Sequence, residues 1–448
     1  MSGATEATMR AGPSASFVQL LLVGVLSVAI MVIDGYDIGA MPLIVPQLSQ
    51  LWGVEPASFG PALSAVVIGL GIGAFLFAPL GDKLGRRLTT VVSLAIIAFA
   101  TLGTAWSTSL SQLFWWRLIT GTGLGACLPN VLAILAQVVP AQRRASVMTV
   151  VSCGIPVGAA GAGIVVPALT NAYGWQASFY VPAVLMIAVT LLVALCLRQI
   201  PMPEPKAPVS AAKDRRWHWT DIPVLAPLGQ GLLLRTAIFS GLFCFNALTM
   251  YMLSSWLPTL LQRSGFAFES ASLLASVVQL GGLFGGLALA TQIDRQRTNG
   301  ALLTGYGVVA LGLIALAFVA PGALGWGAIL LLIGAGVGGA HIALPAVAAN
   351  IYPQAMLSAG IGLAVTVARL GAMAGPMAGA WLIGREVSSG GFFLALLLPV
   401  AACALCVLAF VKAKLANGPS DQEATMFADD RLPTRVDPRA RAFSRSGR

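Results

Sequence analysis

Charge is what this chain lacks most. Only 9% of its 448 residues are Asp, Glu, Lys or Arg, where soluble domains carry about 25%. That excludes the two or three water-exposed globules that length alone would suggest. Disorder is excluded for the bulk of the chain, because 57% of the residues are hydrophobic and disordered chains are poor in them. Histidine is nearly missing, with two residues, and cysteine is sparse: Cys127, Cys153, Cys196, Cys244, Cys403 and Cys406 all lie in apolar runs. They read as small core hydrophobes, with no disulfide and no metal site. There is no nucleotide motif and no nucleophile–His–acid set, so an enzyme is not expected. The net charge of +10 would suit nucleic acid in a soluble protein. Basic residues also gather in cytoplasmic loops of membrane proteins, and that reading fits the composition, with no nucleic-acid partner.

What the chain has is long apolar runs. About 20 such residues cross a bilayer as a helix. Twelve runs are centred near Val28, Gly71, Ile97, Gly125, Ala159, Met186, Cys244, Leu280, Gly312, Gly336, Ala368 and Ala401. A β-barrel would show short alternating segments instead. The first run is too long for a cleavable signal peptide and lacks a small-residue cleavage site. The expected fold is an all-α polytopic membrane protein. Twenty-two of the 26 Lys and Arg fall on the side of the N-terminus, and only Arg263 and Arg385 on the other. Both termini are therefore expected in the cytoplasm of a plasma (inner) membrane protein. The expected division is a cytoplasmic tail over 1–16, a six-helix half over 17–197, a Pro-rich charged linker over 198–230, a second half over 231–412, and a disordered polar tail over 413–448.

The halves share one plan. Asp82, between spans two and three, and Asp294, between spans eight and nine, are 212 positions apart. Pro46, placed after span one, and Pro258, placed after span seven, have the same separation. Gly121, Gly123 and Gly125 of span four answer to Gly334, Gly336 and Gly338 of span ten at 213. Two parallel-related halves of six helices put a substrate site near the midplane between them.

Several segments carry a resemblance. Ala78-Pro79-Leu80-Gly81-Asp82-Lys83-Leu84-Gly85-Arg86-Arg87 resembles the loop 2–3 motif of the major facilitator superfamily, with Ala78 where a Gly is usual. Asp34-Gly35-Tyr36-Asp37 resembles an element of its aromatic acid:proton symporter family. Arg117 with the glycines up to Gly125, Pro129-Asn130, Pro156, Tyr251, Trp256-Leu257-Pro258, and Arg369 through Gly375-Pro376 fit the same family. The match covers about 17–412. Gln137 stands where that family often has an acid, and Leu357 where it usually has an Arg. The resemblance implies import of an aromatic or similar small carboxylate by proton symport, with a proton gradient and no cofactor. It also implies a conformational gate at Asp82, Gly85, Arg86 and Arg87. Proton-antiport efflux of drugs or metabolites stays open as an alternative, as does a membrane sensor of aromatic acids. The oligomeric state stays open, and a monomer is compatible.

Ionisable residues deep in a membrane are expensive, at about 2.5–3.5 kcal/mol on insertion scales. Five fall there: Asp34, Asp37, Arg117, His341 and Arg369. Asp34 and Asp37 share a helix face at i, i+3. Their mutual repulsion and their burial both favour the protonated form, which suits proton coupling. At the repeat offset they meet Asn246 and Thr249, so proton handling is expected in the first half. Arg117 and Arg369 can pair with a substrate carboxylate through the planar guanidinium fork. A structural ion pair of Arg117 with Asp34 or Asp37 is the competing reading. His341 suits a proton relay or a substrate hydrogen bond. Tyr36, Tyr251 and Trp256 can stack a ring, with Asn130 and Asn246 as polar partners. Asp82 and Asp294 are expected to latch helix ends through neighbouring basic groups, Asp82 with Arg86 and Arg87.

Overall fold

The computed structural model describes residues 17–198, 232–319, 322–352 and 354–416. The tail over 1–16, the linker beyond Arg198 and the tail beyond Ala416 lie outside the described residues. Among the described residues, twelve helices are long and apolar enough to cross a bilayer. Spans 1 to 6 are Leu20–Trp52, Pro56–Phe77, Arg86–Ala105, Leu110–Val138, Ser146–Tyr173 and Ala177–Leu197. Spans 7 to 12 are Leu233–Arg263, Phe268–Asp294, Thr298–Phe318, Ala323–Val347, Met356–Gly384 and Ser389–Lys412. Helix is the form these runs must take, since lipid offers no partner for open backbone groups. All twelve expected centres fall inside these spans. Two boundaries differ from expectation: Pro46 and Pro258 lie within spans 1 and 7, which continue to Trp52 and Arg263. A buried helix tolerates such a proline because neighbouring groups re-satisfy the freed carbonyl.

The packing repeats between the halves. Span 1 packs on span 5 as span 7 packs on span 11, and span 2 on span 4 as span 8 on span 10. The repeat extends to single glycines. A Cβ at Gly158 would collide with the Val32 carbonyl, and one at Gly371 with the Cys244 carbonyl. Gly121 lies against the Val66 carbonyl as Gly334 lies against that of Val278. Close backbone approach is how membrane helices gain contact without a hydrophobic drive. Gly158→Val and Gly371→Val should therefore each lower the melting temperature in detergent, at a cost of about 1–3 kcal/mol for overpacking. Gly161→Val is the control, because no heavy atom lies within 4 Å of a Cβ there. Equal melting of all three variants would refute this account of the crossings.

The halves meet through spans 2 with 11 and 5 with 8, which the repeat relates to each other. The Ser64 hydroxyl donates to the Met373 carbonyl at 2.9 Å, Gly60 abuts Ala380, and Gly163 abuts Ser276. Asn171 donates to the Glu269 carboxylate at 2.8 Å. These contacts lie toward the end of the bundle opposite Phe17 and Ala416, the first and last described residues. The hydrophobic core follows them. One cluster joins the Tyr36–Leu48 stretch of span 1 to the second half, from Phe239 to Val407. The part of the first half nearer Phe17, from Val23 to Met31 with Leu94, Leu124 and Val193, has a core of its own. The halves are thus joined at that far end, and their cores part toward the end that holds Phe17 and Ala416. All six cysteines are free thiols, with Cys403 and Cys406 one turn apart on span 12.

Candidate functional site

Span 1 brings Asp34 and Asp37 into the first half one turn apart, 1% and 2% exposed. Span 4 starts at Ser109, whose hydroxyl accepts from the Gln112 N–H at 3.4 Å; such a cap satisfies a free backbone donor and fixes where the helix begins. Eight residues later, roughly 12 Å along the axis, span 4 carries Arg117. Its Nη1 donates to Asp37 Oδ2 at 2.7 Å and its Nη2 to the Asp37 carbonyl at 3.2 Å. Of the two sequence readings for Arg117, the ion pair is what this conformation holds.

The pairing is incomplete. Asp37 Oδ1 and Arg117 Nε are buried without a hydrogen-bond partner. Both carboxylate oxygens of Asp34 are in the same condition. A buried charge without hydrogen bonds is strongly disfavoured, and a carboxyl so placed takes up a proton or a partner. Cys127 of span 4 lies within electrostatic reach of Asp34.

The second half contributes a different set. Arg369, midway along span 11, is partly buried, and its Nη1 donates to the Leu70 carbonyl of span 2, across the boundary between the halves. Leu70 precedes a π-helical turn over Gly73–Phe77, where Ala78 N–H reaches back to the Gly73 carbonyl at 2.8 Å. Such turns interrupt the regular ladder and are frequent at functional sites. The Tyr251 phenol lies within electrostatic reach of Arg369. His341 stands 6.5 Å from the Tyr251 ring and 5.2 Å from Phe243, both edge-on. Its Nδ1 is buried and unpartnered. The first half thus holds an acid cluster and the second a cation–aromatic cluster, whose Arg369 reaches across to Leu70 of the first half.

Three sequence candidates have structural partners instead, and a fourth, Tyr36, is packed in the core. The Asn130 amide donates to the carbonyls of Ala78 and Ala126 and abuts Gly81 of loop 2–3. Asn246 donates to the Val337 carbonyl and accepts from the Tyr306 hydroxyl. Trp256 is fully buried, and its indole donates to the Pro376 carbonyl at 2.9 Å. Tyr36 is buried in the shared core beside Ser178 of span 6. Asn130, Asn246 and Trp256 clamp helices in this conformation, whereas the Tyr36 hydroxyl is buried without a hydrogen-bond partner. In loop 2–3, Asp82 pairs with Arg86 at 3.0 Å, and Gly85 takes φ +95°, a value that favours glycine. Arg87 does not join that pair as expected; it donates to the Ala194 carbonyl of span 6 at 3.2 Å. Asp294 takes no part in the two ion pairs formed among the described residues. Sequence reading missed Phe243 and the Leu70 carbonyl. No side-chain pattern announces a backbone acceptor, and Phe243 is one apolar residue among many.

Two pseudo-symmetric six-helix halves with paired ionisable groups in the membrane define a polytopic membrane transporter. The chain belongs to the Major Facilitator Superfamily, which residues 25–376 match. It is 31% identical to the 4-hydroxybenzoate transporter PcaK of Pseudomonas aeruginosa, covering 85% of this chain and 90% of that one. It is 30% identical to the gallate transporter of Pseudomonas putida, over 91% of this chain and 95% of that one. It is also 30% identical to the 3-(3-hydroxy-phenyl)propionate transporter of Escherichia coli, over 84% and 90%. The fold matches the nucleoside transporter NupG (D323A mutant) with a TM-score of 0.68 at 16% identity, over 88% of this chain and 99% of that one. It matches a bacterial homologue of the human lysosomal transporter Spinster, in an inward-facing and occupied conformation, with a TM-score of 0.67 at 16% identity over 90% and 98%. These relatives are transporters, not enzymes.

Proposed function

We propose that this protein imports an aromatic or similar small carboxylate by proton symport. It does so across a bacterial inner membrane, with both termini in the cytoplasm. The observation that carries the reading is the unpartnered Asp34 beside the Asp37–Arg117 pair, in a chain whose relatives are named for hydroxybenzoate, gallate and hydroxyphenylpropionate. Asp34 is the proton carrier: protonation removes a charge that has no compensating group. Arg369 is the substrate's counter-ion, because it is the more accessible of the two membrane arginines and Arg117 is committed to Asp37. A carboxylate is a better acceptor for a guanidinium than a neutral carbonyl is. An arriving anion therefore draws Arg369 from Leu70 and releases a tie between the halves. Tyr251 and His341 stand where the ring would lie. With the Lys/Arg-rich face inside, the parted cores correspond to an inward-open state. The Asp82–Arg86 pair with Gly85 then belongs to the inner gate.

Coupling requires that proton and substrate together favour the state able to cross, and that neither alone does so enough. The test is uptake by proteoliposomes under an imposed inward proton gradient. The panel holds hydroxybenzoates, gallate, a phenylpropanoid, a phthalate and muconate. At least one aromatic acid is expected to accumulate, and a protonophore should abolish the accumulation. Transport only in the outward direction under the opposite gradient would refute import and install the efflux reading.

A further inference from the structure

A second concave site lies away from the charged midplane. Spans 8, 9 and 10 enclose a crevice of about 760 Å³ near the turn that carries Arg295 and Arg297. None of Asp34, Asp37, Arg117, His341 and Arg369 lines it. Its walls are mostly small residues, among them Gly285, Ala288, Gly300 and Ala335. A Cβ at Gly300 would meet no heavy atom within 4 Å, so span 9 stands clear of its neighbours there. Leu332, on the wall, is 52% exposed, and the crevice opens on the apolar perimeter of the bundle. The other end is polar: Thr291, Gln292 and Arg297. The Arg297 N–H donates to the Gln292 carbonyl at 2.9 Å, which holds Arg297 at that end. Asp294 is the one acid in the turn. Neither arginine takes part in the two ion pairs formed among the described residues.

We propose that this crevice binds an anionic phospholipid, with an acyl chain in the trough and the phosphate on Arg297. An apolar trough open to the hydrocarbon and ending in an unpaired cation at the membrane face matches the two parts of a lipid. Basic pockets between membrane helices are known to take such headgroups. An aromatic acid from water would meet mostly carbon walls and one cation at the rim, whereas an acyl chain meets carbon along its length.

The experiment is native mass spectrometry of the full chain in detergent, titrated with phosphatidylglycerol and with phosphatidylcholine. The wild type is expected to prefer phosphatidylglycerol. Arg297→Gln should lower that preference about fivefold, the size of one basic residue's effect at an anionic surface, with melting in the absence of lipid unchanged. Gly300→Leu, which places a side chain in open space, should lower retention of both lipids. Glycerophosphoglycerol, the headgroup without chains, should fail to compete. The proposal is overturned if Arg297→Gln keeps the full preference, if Gly300→Leu binds both lipids as the wild type does, or if the chain-free headgroup competes equally. None of these readouts depends on the transported substrate, so failure of the lipid site is distinguishable from failure of the symport reading.

Discussion

Asp34→Asn should reduce gradient-driven accumulation to simple equilibration while leaving exchange of substrate for substrate within a few-fold of the wild type. One pH unit of proton gradient is worth about 1.4 kcal/mol, or about tenfold accumulation per proton carried. A transporter that has lost its proton site equilibrates, and the internal-to-external ratio falls to about one. Asp34 is the group singled out because its carboxylate is 1% exposed and neither oxygen has a partner. Asn has nearly the shape of a protonated carboxyl, so the variant mimics the loaded form. It should therefore still cross between states when substrate is bound. Counterflow in proteoliposomes at matched pH checks the second half of the prediction. Full accumulation by Asp34→Asn under a protonophore-sensitive gradient would remove Asp34 from the coupling mechanism. Loss of counterflow together with accumulation, in a protein that melts normally, would move Asp34 to the substrate site.

The twelve spans and their pairing by halves were legible in the sequence because they rest on one-dimensional signals. Apolar run length sets the spans, and the recurrence of Gly121 at Gly334 sets the symmetry. The Gly158–Val32 and Gly371–Cys244 crossings then follow from small residues at equivalent places. The five ionisable membrane residues were legible too, since each stands out against an apolar background. Their partners were less so. Arg117 and Asp37 are 80 positions apart, and composition could not choose between pairing with each other and pairing with a substrate. Asn130 and Asn246 read as binding groups because polarity in a membrane suggests a ligand, and Trp256 because an aromatic ring can stack one. The structure gives each a carbonyl on a neighbouring helix. Buried donors take the nearest acceptor, and a backbone carbonyl leaves no trace in the sequence. The Arg369–Leu70 tie escaped notice for the same reason.

Arg117→Met should destabilise the protein by about 3–5 kcal/mol, the usual cost of removing one partner of a buried ion pair. The cost falls on Asp37, 2% exposed, whose Oδ2 loses the donor at 2.7 Å and whose Oδ1 has none already. The melting temperature in detergent is the readout, and it should fall markedly for the single variant. Asp37→Asn added to Arg117→Met removes the stranded charge and should recover much of the loss, since replacing both members of a buried pair is often nearly neutral. Transport should not recover with stability. The pair also joins span 1 to span 4 beside Asp34, and its unused Oδ1 and Nε leave it short of a closed network. A half-satisfied pair in low dielectric is poised to exchange partners when a proton or an anion arrives, because small changes in charge nearby carry large energies there. Rescue of both melting and uptake by the double variant would show the pair to be a helix clamp only. Rescue of melting without uptake would place Asp37 and Arg117 in the transport cycle. Unchanged melting of Arg117→Met alone would refute the ion pair as a source of stability in the folded protein.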